Sequence, residues 1–158
     1  IKIKFKNIAL LKKTLSHKSY DSNNNYEKLE FLGDRVLGLI ISKKLLELYP
    51  HKEEGFLDKT LASLVNKNKC YEIGKKLSLN KYILLGNVKN KSNFIEKKIV
   101  SDCCEALIGA IYLDGGFEVV QKFIDNDPYV KAGLVTSYEI KEWAVGVAPA
   151  NLGLPSKL

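Results

Sequence analysis

The chain has 158 residues, a net charge of +7, 46% hydrophobic and 27% charged residues. That length supports one domain with a substantial core rather than two full ones, and no apolar run approaches the roughly 20 residues of a membrane span. Three cysteines and two histidines, with no CxxC, argue against a disulfide framework or a zinc site and for a reducing cytoplasm.

The opening "IKIKFKNIALLKKTL" has neither the long apolar stretch nor the small-residue cleavage site of a secretory leader, so no signal peptide is expected. Ile8, Leu11 and Leu15 recur at near-helical spacing and predict a short amphipathic helix. "YDSNNN" is a polar loop in which Asn24 or Asn25 can cap the next helix. From Tyr26 to Tyr49 the residues Leu29, Leu32, Val36, Leu37, Leu39, Ile40, Leu45, Leu46 and Leu48 nearly encircle the axis, which predicts a helix buried on most sides and ended by Pro50.

"EEGFLDKTLASLVNKNKCYEIGKKLSL" reads as one helix, or as two joined near Asn66–Asn68, with Leu57, Leu61, Leu64 and Val65 inward. "NKYILLGNVKNKSNF" reads as a loop with a short apolar insert. "IEKKIVSDCCEALIGAIYLD" is a second heavily buried helix, closed by Gly115 and Gly116, and "FEVVQKFI" opens one more. Nothing before Ile124 alternates with period two, so the predicted class is all-α with a short irregular or β-prone tail.

Charge is unevenly distributed. Through Ile124 there are 22 Lys and Arg against 14 Asp and Glu; beyond it there are 3 against 4. A basic first segment suits a polyanion such as nucleic acid. A lysine-rich solvated surface explains the same numbers without any partner.

Against that basic background, Glu27, Glu30 and Asp34 lie at i, i+3, i+7 on the first apolar helix, so their carboxylates share one stripe. Asp102 and Glu105 repeat the i, i+3 spacing on the second. Acids on core helices must be paired or bound to metal. A set of hard carboxylates without His or Cys favours Mg²⁺ or Mn²⁺, and such an ion in a basic protein suits phosphodiester hydrolysis. The bland alternatives are dipole complements in a first turn for Glu27 and Glu30, and a local cap for Asp102.

"EKLEFLGDRVL" and "SDCCEALIGAIYLDGG" together strongly resemble the ribonuclease III family, and "LLKKTLSHKSY" is similar to its upstream segment, with Thr14 and Ser16 as mild variants. The resemblance runs from about residue 8 to 124. It implies an all-α endonuclease domain that forms a homodimer and cleaves double-stranded RNA with Mg²⁺, or with Mn²⁺ as a substitute. Carried over by position, Glu30, Asp34, Asp102 and Glu105 are the implied metal ligands. Asp34 and Glu105 are implied to be catalytic, with Glu27 as an accessory acid. Phe31 is the implied dimer-interface residue, although ordinary core is its plain alternative. Gly33 is expected either to allow close helix approach near the metals or to be merely tolerated there. His17 reads as structural, and Lys67, Lys69, Lys97 and Lys98 as solvated lysines within reach of phosphate.

After residue 124 the pattern changes. "FIDNDPYVKAGLVTSYEIKEW" resembles the C-terminal piece of YCII-related proteins over about twenty residues. Residues 125–158 are therefore expected to be a non-family tail, not independently folded, joined near 123–127 by a fusion or an assembly join. No double-stranded-RNA-binding domain is read there. Three functions compete: a double-strand-specific endoribonuclease, a non-catalytic dimeric RNA-binding or ribosome-associated module on the same fold, and a compact relative trimming a ribosomal RNA precursor. The non-catalytic module should have lost one of the four acids, and none is missing.

Overall fold

The computed structural model describes residues 4–86 and 93–126. Of the expected tail (125–158) and its YCII-like segment (123–143), only the residues up to 126 are described, as the end of the last helix; the remainder, and most of the "GNVKNKSNF" loop, lie outside the described residues.

The described residues form six α-helices in chain order: α1 (Ile8–Thr14), α2 (Glu27–Leu48), α3 (Glu54–Leu64), α4 (Lys67–Lys76), α5 (Asn93–Gly115) and α6 (Phe117–Asn126), with a 3₁₀ turn at Leu79–Lys81. Among the described residues there is no strand. A single parallel bridge joins Ser16 to Leu84, where Leu84 N–H donates to Leu15 O at 2.7 Å and His17 N–H to Leu84 O at 3.1 Å. No helix among them is long and apolar enough to cross a membrane.

Local chemistry sets the helix ends. Asn7 begins α1 by accepting from Ala9 N–H at 3.0 Å, and Asp114 at the far end of α5 accepts from the backbone N–H of both Lys6 and Asn7 at 2.8 Å. Asn25 accepts from Glu27 N–H at 3.0 Å at the start of α2. The long central segment is two helices, because the Asn66 side chain caps α4 by accepting from Lys69 N–H at 3.1 Å. Gly116 ends α5 with φ +79, a conformation that L side chains resist.

The core forms where α2 and α5 cross, with α4, α1 and α6 packed around α5 and α3 against α2. Leu37, Ile40, Ile41 and Leu45 of α2 and Ile108 and Ile111 of α5 are almost wholly buried. Cys70, Cys103 and Cys104 are buried and form no disulfide. Cys103 donates to Thr14 O at 3.3 Å, and burial pushes its thiol up to about 12. The crossing is unusually close. A Cβ built on Gly33 would stand 1.8 Å from Glu105 O, and one on Gly109 would stand 2.3 Å from Leu29 O. Only glycine at both positions lets the two backbones meet there.

In one respect the expectation for α2 fails. Burial on most sides is not observed: Phe31 (63%), Leu39 (60%) and Leu46 (59%) remain exposed, as does Leu48. Because α5 takes only one flank of α2, the ring of apolar residues is covered along a single face.

Candidate active site

Glu27, Glu30 and Asp34 of α2 and Asp102 and Glu105 of α5 line one cleft of about 590 Å³, whose walls also include His17, Lys18, Phe31, Arg35, Lys67 and Lys98. The Gly33–Gly109 contact positions them. Glu30 lies one turn before Gly33 and Asp34 directly after it, while Glu105 lies one turn before Gly109 on the facing helix.

Three carboxylates converge. One oxygen each from Glu30, Asp102 and Glu105 lies within 4.8 Å of the others. Asp102 and Glu105 are buried and Glu30 is half-buried, so three like charges share a poorly hydrated space. Such a group needs a cation. Lys67 supplies one from the first turn of α4: its Nζ donates to Glu30 Oε1 at 3.0 Å, Asp102 Oδ1 at 2.6 Å and Glu105 Oε2 at 2.7 Å.

The titration behaviour follows from that arrangement. Burial raises the Glu105 carboxyl above its ordinary value, with the Lys67 contact and the Cys70 thiol pulling the other way. Burial likewise raises Glu30, opposed by Lys67 and reinforced by the charge of Asp102. For Lys67, burial lowers the pKa, but the hydrogen bonds to Asp102, Glu105 and Glu30 outweigh it and hold the ammonium well above its usual range.

The remaining sequence candidates separate. Asp34 lines the same cleft but pairs with Arg35 Nη1 at 2.9 Å instead of joining the three-oxygen cluster. Glu27 is exposed and pairs with Lys18 at 3.0 Å on the rim. Glu27, Glu30 and Asp34, the acidic stripe of α2, thus turn to three different cations. Phe31 is exposed beside the cleft with the Arg35 guanidinium 4.0 Å from its ring centroid. His17 Nδ1 accepts from Ser19 N–H at 3.0 Å, and its ring meets Tyr26 edge-on at 5.7 Å, a structural arrangement. Lys98 lines the cleft, whereas Lys69 pairs with Glu72 and Lys97 reaches toward Tyr71.

Sequence reasoning named Lys67 only as a phosphate-range lysine and missed its place among the acids. A signal was available. A lysine directly after an Asn cap puts a cation at the positive end of a helix, where acids are favoured.

The Ribonuclease-III-like family profile matches residues 7–130. The chain is 59% identical over 143 residues to Ribonuclease 3 of Pelagibacter ubique, covering 89% of this chain and 64% of that protein. Against Ribonuclease 3 of Borreliella afzelii it is 42% identical over 139 residues, covering 83% and 57%. It therefore spans about three-fifths of these curated relatives. Among solved structures, the nuclease domain of ribonuclease III from Campylobacter jejuni superposes with a TM-score of 0.72 at 36% identity, covering 84% of this chain and 88% of that one. Its description concerns flexibility in a region involved in dimer formation of that domain. Dicer from Pichia stipitis shares the fold, with a TM-score of 0.61 at 21% identity.

Proposed function

The chain belongs to the ribonuclease-III-like family, and on that premise we propose that it is a Mg²⁺-dependent endoribonuclease that cleaves double-stranded RNA as a homodimer, in processing ribosomal and messenger RNA precursors in the cytoplasm. The observation that carries this reading is the convergence of Glu30, Asp102 and Glu105, from two helices, on one cation-holding point.

The residues fit a divalent ion. The donors are hard oxygens with no thiolate or imidazole among them, the preference of Mg²⁺ with Mn²⁺ as a substitute. The pocket already accommodates a positively charged group. Glu30, Asp102 and Glu105 would hold the ion, with Asp34 as a fourth ligand on leaving Arg35. A bound divalent ion polarises the scissile phosphate and activates the attacking water.

Around that centre the chain's own residues bind and orient RNA. Lys18, Arg35 and Lys98 on the cleft walls meet backbone phosphates, and Glu27 remains at the rim as an accessory acid. An A-form duplex is read mainly by shape and phosphate contacts, which suits a basic surface without a sequence-reading element. The water oxygen bonds to phosphorus as the P–O3′ bond breaks and the O3′ takes a proton. The products are a 5′-phosphate and a 3′-hydroxyl. A second copy covering the exposed face of α2 around Phe31, Leu39 and Leu46 would supply a second cleft, one for each strand.

The test is cleavage of long duplex RNA at low salt by the full chain. Cleavage should require Mg²⁺ or Mn²⁺ and disappear in Glu105→Gln with RNA binding retained. Affinity should fall steeply with salt through counterion release. A folded, dimeric preparation that leaves duplex RNA intact across both metal titrations would refute the proposal.

A further inference from the structure

The three carboxylates assigned above to a divalent ion are the same three that hold the Lys67 ammonium, at 3.0, 2.6 and 2.7 Å. An Mg²⁺ ion draws its oxygen ligands to about 2.0–2.1 Å. Two cations cannot share that focus. Resting on the metal-site reading, we infer that Lys67 is the resident counter-ion of the pocket: it holds Glu30, Asp102 and Glu105 in position until a divalent cation enters, and is then displaced to the mouth of the cleft.

Three features support an exchange over a permanent ion pair. Lys67 opens α4 directly after its cap, where the helix dipole disfavours a cation, and that first turn contains no acid to compensate. The compensation comes wholly from the acids of α2 and α5. A local rule broken in this way marks a position shaped by function. Next, the side chain reaches in from outside and remains 53% exposed, so an exit path is open. Finally, one ammonium against three carboxylates leaves two negative charges unbalanced. A divalent ion at the focus, with the ammonium retained at the mouth, balances all three.

Lys67 is therefore a positioning residue, and its removal should affect metal binding in a direction that mere structural support would not. Mn²⁺ titrated into the full chain, with free ion followed by electron paramagnetic resonance, should bind Lys67→Met at least about tenfold more tightly than wild type, since it no longer competes with three charge-assisted contacts. Lys67→Arg should bind no more tightly than wild type. In the wild-type protein itself, acylation of the Lys67 amine, read by mass spectrometry, should rise severalfold on Mn²⁺ saturation, while Lys69, paired with Glu72, stays unchanged. Equal or weaker binding by Lys67→Met overturns the inference, as does acylation of wild-type Lys67 that ignores the metal. If wild type binds Mn²⁺ and only these responses fail, the metal-site reading survives; if no variant binds, both readings fall together.

Discussion

The two sides of α2 are built from similar residues and behave differently. On the inner side, Val36, Leu37, Ile40, Ile41 and Leu45 are sealed against the rest of the core. On the outer side, Phe31, Leu39 and Leu46 are as apolar and lie largely in solvent. Hydrophobicity alone does not distinguish the two. The distinction comes from Gly33 meeting Gly109, which seats α5 on one flank and leaves the other facing solvent. Exposed apolar residues gathered along one helix face are the usual sign of an interaction surface.

The largest expected effect comes from disturbing the seating itself. Gly33→Ala places a methyl group where Glu105 O and Gly109 N already stand, at 1.8 and 2.8 Å, and main chain cannot rotate aside. A loss of about 3 kcal/mol or more is expected from such overpacking. Urea unfolding at matched protein concentration measures it. A near-neutral result would mean that the crossing tolerates a wider gap than the structure shows.

A paired substitution sharpens the contrast. Ile40→Ala, at a position with 0% exposure, should cost about 2–5 kcal/mol. Leu39→Ala, one residue along, should change folding stability by about 0.5 kcal/mol or less when measured at dilution. In sedimentation velocity it should weaken self-association instead. Equal folding losses from both substitutions would show that the outer face is covered within one chain.

The smallest effect concerns pH. Burial holds the Glu105 carboxyl above its ordinary 4.5, so the folded, metal-free protein binds that proton more tightly than the unfolded chain does. Stability from this group is thus fullest at low pH and declines as pH rises from the ordinary carboxylate value through the raised one. Glu105→Gln removes the titration. The stability of wild type relative to the variant should therefore fall across that window, and a difference that stays flat or rises would place Glu105 in a better compensated environment.

Much of this architecture is legible in the sequence. The apolar periodicity of α2 and α5, the Gly115–Gly116 stop and the absence of period-two alternation all carried through, because each is a local preference repeated over many residues. The break between α3 and α4 was visible as an alternative and was decided by one side chain, that of Asn66. Spacing placed Glu27, Glu30 and Asp34 on one stripe, and they do line one cleft. Which cation each acid would meet was not legible, although the place of Lys67 at a helix start was a hint. Lys18, Lys67 and Arg35 divide the stripe among them, and two of these lie on other segments, whose approach depends on tertiary packing. The exposed flank of α2 was hidden for a related reason: a ring of leucines states that burial is wanted, not which molecule provides it.

The contact between Gly33 and Gly109 acts as a ruler cut from peptide groups. Elsewhere in the interior the contacts run through side chains such as those of Val36 and Cys104, whose replacement by residues of similar volume neighbouring side chains can partly absorb. Where main chain touches main chain, no distant replacement alters the gauge. The spacing of Glu30 and Glu105 is therefore set first by this backbone contact, and substitutions elsewhere in the core are expected to shift it less than a change at either glycine.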